Sequence, residues 1–369
     1  MTMMINKKFI FRLMIISSTL YLSQIMLSPI YFLSLTALFL FLFVCDGIQI
    51  KIYDFIFLCS FFSYFVITQA TTASFNIIGN LYCFLIINTI VMLTYKAVDR
   101  DYINRTILIF FGVSLLIFFA DTFWRFANPD YDQIRNLDRL YELGLGYQVY
   151  KSNSIMYIDS NNVGVHALCL FMLSVVVNGI KGLNVFRLSF FIIILLTLSR
   201  AAVVSAVVGY IFYIVDTSKY RFYFRTSMWL SIIPISYVII VTLTHYSDES
   251  LASKFYLLQS AYNFLSGEYD YPAYSILTGV GFGNAINVIG MGSHSIYVSL
   301  LVEAGIVGFV IYFLHLAFFY KKAKATKYII LPFLITSFSL GAVVSPWFFC
   351  SLWLVVALNE DEISERKIN

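Results

Sequence analysis

Charge is what this sequence has least of. Only 12% of its 369 residues are Asp, Glu, Lys or Arg, about half the share of an ordinary soluble domain. A solvated surface all round is therefore excluded. The five cysteines, Cys45, Cys59, Cys83, Cys169 and Cys350, all fall in apolar runs and form no CxxC. They exclude a disulfide framework and a thiolate metal site, and read as small buried hydrophobes. The net charge of +4 is small and gives no reason to expect a nucleic-acid partner. Long cytoplasmic connections are also missing, which excludes a nucleotide-binding domain on that side.

What is present is apolar: 60% of the chain. Only helices or a closed barrel span a bilayer. The runs are long and continuous rather than alternating, so they are helices. The expectation is an all-α polytopic membrane protein, one integral membrane domain over residues 1–369. Spans of ~20 residues are placed near 9–27, 29–45, 53–70, 75–95, 106–120, 163–180, 185–199, 201–216, 227–244, 295–319, 327–345 and 346–358. The first is one of many, so it is not a cleaved signal peptide. With the N-terminus inside, 18 of the 24 Lys and Arg fall on the inner side, which puts both termini in the cytoplasm.

Two long connections remain, 121–162 and 245–295, both outside. Long loops on one face usually carry function. In the second, "SDESLASKFYLLQSAYNFLSG" reads as a helix. Leu251, Phe255, Leu258, Tyr262 and Leu265 share one face. Ser247 or Asp248 caps its start and Gly267 ends it. It is expected to lie on the membrane surface. "GVGFGNAIN" follows, with Gly279, Gly281 and Gly283. It is either a flexible turn or a bare backbone able to approach a ligand. It lacks the strand–helix setting of a dinucleotide fold.

Several ionisable residues sit near the outer face. His294 ends the second loop and suits proton abstraction near neutral pH. Glu303 lies nine residues on, ~13 Å down a continuous helix, where an acid is costly. It is assigned to internal packing, with Gly305 and Gly308 allowing close helix contact. Arg200 stands in the tight connection "LTLSRAAVV". It either snorkels to head groups or clamps a diphosphate bidentately. Asp130 with Asp132, and Asp99 with Asp101, look like DxD triplets, which are common by chance. No metal and no cofactor is expected. The outer aromatics, among them Phe123, Trp124, Tyr131 and Tyr147, read as an interfacial belt or as sugar-stacking platforms.

Together "DSNNVGV", "LSRAAV", "GVGFGN" and His294-Ser295, followed nine residues later by Gly305-Ile306-Val307-Gly308, resemble the bacterial O-antigen polymerase and ligase superfamily. The resemblance covers roughly residues 155–320. It implies a metal-independent glycosyltransferase of the bacterial cytoplasmic (inner) membrane. Its donor and acceptor would be glycans on undecaprenyl diphosphate. Membrane lipids would surround it, and a chain-length regulator and a flippase of the same pathway would be partners. Arg200 then takes the donor diphosphate and His294 acts as base. Asn161, Gly279, Gly281, Gly283 and Ser295 position loop and substrate. One departure is Lys254, a point charge where the family commonly has an Arg fork. Polymerase is favoured. A ligase acting on lipid A-core and a flippase for the same lipid are the alternatives. The flippase reading suffers because the expected midspan charge is nearly confined to Glu303.

Overall fold

The computed structural model describes residues 7–25, 27–44, 52–69, 75–130, 138, 142, 146–157, 159–223, 226–227, 230, 249–339 and 343–368. Among the described residues the chain is helical, with no strand. Four stretches of the described residues are long and apolar enough to cross a membrane: Ile77–Ala97, Arg100–Ala127, Arg200–Thr217 and Gly305–Lys322. Shorter apolar helices accompany them. The architecture is that of a helical membrane protein.

In chain order the helices are α1 (Lys7–Ser17), α2 (Pro29–Val44), α3 (Ile52–Gln69), α4 (Phe75–Thr94), α5 (Arg100–Ala127), α6 (Ser160–Val176), α7 (Leu183–Leu196), α8 (Arg200–Thr217), α9 (Glu249–Leu265), α10 (Tyr274–Thr278), α11 (Ala285–Ile289), α12 (Ile296–Val298), α13 (Gly305–Lys322), α14 (Lys327–Thr336) and α15 (Pro346–Ile368). The centre is α6, buried on every side from Val163 to Val175. It packs against α7, α8, α14 and α15. Lipid gives helices little hydrophobic reason to associate, so close approach at small residues matters more. Gly209 of α8 shows this: a methyl group there would meet Pro332 of α14 at 2.4 Å. Polar stitches help as well. Trp353 donates to Asn88 at 2.6 Å, and the Asn88 amide contacts His315 at 3.3 Å, which joins α15, α4 and α13.

Several expected spans are redrawn. The first does not run to residue 27. The hydroxyls of Ser17, Ser18 and Thr19 fold back on the carbonyls of Met14, Ile15 and Ile16, competing with the next helical turn. The fifth continues past residue 120 to Ala127, because Asp121, Thr122 and Arg125 turn inward rather than ending the helix. The span placed at 295–319 is broken. After α12 comes a π turn, Ser299–Glu303, and a new helix starts at Gly305. The helix placed at 327–345 ends at Thr336, about 15 Å long at 1.5 Å per residue. The span at 227–244 lies almost wholly outside the described residues.

Helix α9 forms as expected and Gly267 follows it in a left-handed conformation, φ +77°. Its buried face is different, however. Leu257, Ala261 and Phe264 pack on Ala285, Val288, Ile289, Val298 and Val302. The stripe of Phe255, Leu258 and Tyr262 points outward instead. The helix thus has two apolar faces, one for the protein and one left open. Ser247 and Asp248, the expected caps, lie outside the described residues.

Candidate active site

Arg200 is the first residue of α8. Ser199 caps that helix, its hydroxyl accepting from the Ala202 N–H. The residue before the cap, Leu198, has φ +57°, a strained conformation for a side chain with a Cβ. Two contacts hold the turn in place. The Ser160 hydroxyl donates to the Thr197 carbonyl at 2.8 Å. Gly164 of α6 leaves room for Thr197 and Ser199, which a methyl group would meet at 2.9 and 3.1 Å. Arg200 itself is exposed.

Beside this turn the connection between α5 and α6 returns to the protein. The Ser160 N–H donates to the Lys151 carbonyl at 2.9 Å. Arg125 spans both segments. Its guanidinium donates to the carbonyl of Tyr150 at 2.9 Å and of Leu196 at 3.3 Å, and pairs with Asp121 at 2.9 Å. The second oxygen of Asp121 accepts from the Ser154 hydroxyl at 2.6 Å and the Ile155 N–H at 2.9 Å. Lys151, next to Tyr150, is thereby set within electrostatic reach of Asp159, Arg200 and Lys254. Burial first, then the charges of Arg200, Lys254 and Arg125, push its ammonium below the ordinary lysine value, against the pull of Asp159.

Lys254 and His294 meet on another segment, the turn after α14. The Ser339 carbonyl accepts from the Lys254 ammonium at 3.0 Å. The Ser337 carbonyl accepts from the Ile296 N–H at 3.1 Å, two residues past His294. Burial lowers the Lys254 ammonium, offset in part by Asp159. His294 is exposed to solvent yet partly desolvated by its surroundings. That, and then the Lys254 charge, lower it from 6.5, while Asp159 raises it. Asp159 is thus the shared neighbour of Lys151, Lys254 and His294. It also caps α6 and holds Asn161, accepting from its N–H at 2.8 Å and its amide at 3.1 Å.

No family model, curated protein or solved structure matches the chain. What the arrangement can do follows from its chemistry. Lys151 and Lys254 share the Asp159 carboxylate and Arg200 lies within electrostatic reach of Lys151, which leaves an excess of positive charge that suits a dianionic group. The neighbouring imidazole is lowered in pKa, hence neutral and able to accept a proton at pH 7.

The glycine loop folds against the broken helix. The break at Ala304 leaves the carbonyls of Val302 and Glu303 without helical partners. They accept from the N–H groups of Val280 and Gly281, both at 3.0 Å. Gly279 and Gly305 lie at the crossing, with φ +77° and +69°. A methyl group on the first would sit 2.1 Å from the Glu303 carbonyl oxygen, and on the second 2.3 Å from that of Leu277. The close approach these glycines permit is to another stretch of this chain. Gly308 makes a similar fit one turn on, where the Tyr64 ring would meet a methyl group at 2.9 Å.

Glu303 is not far down a continuous helix from His294. Its carboxylate accepts from the N–H groups of Gly283 at 3.1 Å and Ala285 at 3.2 Å, and from the Ser293 hydroxyl at 3.4 Å. Ser293 is His294's neighbour in sequence, so the acid anchors both ends of the loop. The expected depth of ~13 Å presumed an unbroken α-helix, and the π turn removes that premise. Glu303 stands before α13, outside that span. Burial raises it from 4.5 to about 7, against the three hydrogen bonds.

Of the remaining sequence candidates, Ser295 is buried beside His294, and its hydroxyl has no hydrogen-bond partner among the described residues. Asp99 caps α5 and pairs with Lys8. Asp132 lies outside the described residues. His166 is fully buried and stacks on Trp347 at 4.6 Å. Lys151, Asp159 and the Asp121–Arg125 pair were not found from sequence. The one available signal was Asp121 and Arg125 at an i,i+4 spacing on an otherwise apolar helix.

Proposed function

We propose that this protein is a glycosyltransferase of the O-antigen polymerase type. It would join oligosaccharide repeat units carried on undecaprenyl diphosphate at the outer face of the bacterial cytoplasmic membrane. One observation carries the reading: Lys151 has Arg200, Lys254 and Asp159 within electrostatic reach, and Asp159 and Lys254 are also the charged neighbours of His294. A pyrophosphate diester carries a negative charge on each phosphate and matches that excess. The motifs of the sequence resemblance supply Arg200 and the histidine, and Lys254 stands where the family commonly has an Arg.

In this reading an acceptor hydroxyl attacks the anomeric carbon of the donor sugar. The bond from that carbon to the diphosphate oxygen breaks, and its electron pair leaves with the lipid diphosphate. Arg200 clamps the leaving group bidentately. Lys151 and Lys254 offset the developing charge as point charges, strengthened by partial desolvation. His294 takes the hydroxyl proton. The donor is already activated, so no nucleotide is needed.

The twelve-span topology with both termini in the cytoplasm belongs to the same proposal. The ion pairs Lys8–Asp99, Lys322–Asp54 and Lys327–Asp216 support it. Each joins residues that the distribution of Lys and Arg assigns to the inner side. The test is the lipopolysaccharide of a deletion strain. Core bearing a single repeat unit is the expected outcome. Bare core with long glycan left on the carrier lipid would make the protein a ligase.

A further inference from the structure

A cavity of about 200 Å³ opens among Ser18, Tyr21, Asn80, Tyr157, Asn162 and Trp347. These residues come from the end of α1, the starts of α4, α6 and α15, and the first outer loop. In the proposed topology all of these lie toward the outer face. The lining carries ring faces, amides, three hydroxyls and the apolar side chains of Ile30, Val344 and Pro346, and no charged side chain. Such a surface is wrong for a diphosphate. It suits a neutral, hydroxylated ring, with apolar faces for aromatic contact and edges for hydrogen bonds.

The walls are fixed before anything binds. Tyr21 stacks on Tyr157 with ring centres 5.4 Å apart. The Tyr157 hydroxyl accepts from the Trp347 indole and lies 3.2 Å from His166 Nδ1. The Asn80 carbonyl accepts from Tyr31 at 2.8 Å. Asn162 is the exception. Its backbone N–H donates to Asp159 at 3.2 Å, and among the described residues its side-chain amide makes no hydrogen bond. It therefore brings free donors and an acceptor to the cavity one helical turn from Asp159, the carboxylate that Lys151 and Lys254 share.

We propose that this cavity holds one sugar ring of the lipid-linked glycan, with Asn162 bonding its hydroxyls and the Tyr and Trp faces packing its carbon skeleton. The inference rests on the glycosyltransferase reading and adds to it a subsite for sugar, separate from the cationic subsite for diphosphate.

The test is equilibrium binding to purified protein in detergent, with two probes. One is undecaprenyl diphosphate without sugar, and the other is the lipid-linked oligosaccharide extracted from the source cells. The wild type is expected to bind the glycosylated lipid at least about tenfold more tightly, a difference of about 1.4 kcal/mol. Asn162→Leu, which replaces the amide with a bulkier apolar group, should erase that preference and leave undecaprenyl diphosphate binding unchanged. Asn162→Ala should reduce the preference in the same direction, and decides the matter if the leucine variant fails to fold. A preference kept in either folded variant overturns the proposal. So does a parallel loss of sugar-free lipid binding, which would assign the cavity to the lipid chain. Arg200→Ala, run alongside, should weaken both probes. If it weakens neither, the diphosphate reading fails, a different pattern from failure of the sugar subsite alone.

Discussion

Asp121 and Arg125, one turn apart on α5, pair at 2.9 Å with both side chains fully buried. Neither is placed to touch substrate, yet between them they hold Tyr150, Ser154, Ile155 and Leu196. Breaking a buried pair by removing one partner leaves an uncompensated charge and costs about 3–5 kcal/mol. Arg125→Met should therefore lower the melting temperature in detergent and reduce polymer formation. The double variant Asp121→Asn, Arg125→Met should recover part of the stability. A single variant as stable as wild type would show that the pair does not organise the loop.

Arg200 has a more direct role in the proposal. Arg200→Ala should abolish long-chain glycan while the protein stays in the membrane. Arg200→Lys should restore only part of the activity, since it keeps charge and loses the fork. Gel banding of the lipopolysaccharide reads both. Full activity in the alanine variant would reduce Arg200 to a head-group contact.

His294→Ala should slow chain elongation by about 10²–10⁴, measured on lipid-linked repeat units in liposomes. A variant retaining more than about a tenth of the rate removes the base assignment. The pH profile gives a second check. A base works when unprotonated, so activity should fall on the acid side, below pH 6.5, because His294 is lowered from that value. Lys254 contributes to the lowering. Lys254→Gln should shift the acid limb toward higher pH, whatever it does to the maximal rate. An unmoved limb means that His294 is not the titrating group.

Glu303 predicts a pH dependence of stability rather than of rate. Its folded value of about 7 lies above its ordinary 4.5, so the folded protein holds the proton more tightly. The sign follows: its contribution is fully present below 4.5 and is lost as pH rises through about 7. A tenfold difference in proton affinity between folded and unfolded chain corresponds to about 1.4 kcal/mol. Glu303→Gln keeps an acceptor for Gly283 and Ala285 and removes the charge, so its melting temperature should vary less between pH 5 and 8. An identical slope in variant and wild type would place the acid elsewhere than in the loop anchor.

The helical class was legible because apolar runs long enough to span a bilayer leave few other options. Arg200, Lys254 and His294 were legible one at a time, as ionisable residues set in loop or junction sequence. Lys151 was not, since "YKSNS" carries no periodicity or motif, and contacts distant in sequence, from Arg125 and Ser160, set its segment beside the Arg200 turn. The break before Gly305 was hidden for a different reason. "SLLVEAGIVGF" is continuous and apolar, and nothing local ends the helix except a glycine that a helix also tolerates. What opens it is a partner 20 or more residues upstream, the loop whose N–H groups take the carbonyls of Val302 and Glu303. The end of α1 shows the reverse case. Its Ser-Ser-Thr run was visible in sequence, but hydropathy outweighed it.

The crossing of Gly279 and Gly305 has a mechanical consequence. Backbone lies directly on backbone there, with no side chain between to flex. The start of the loop that ends at His294 is thereby tied to the residues that lead into α13. A spanning helix that mismatches the local hydrocarbon thickness responds by tilting. A tilt of α13 would thus move the loop that carries His294, and in the proposed reaction the thickness of the bilayer would enter the geometry of the base.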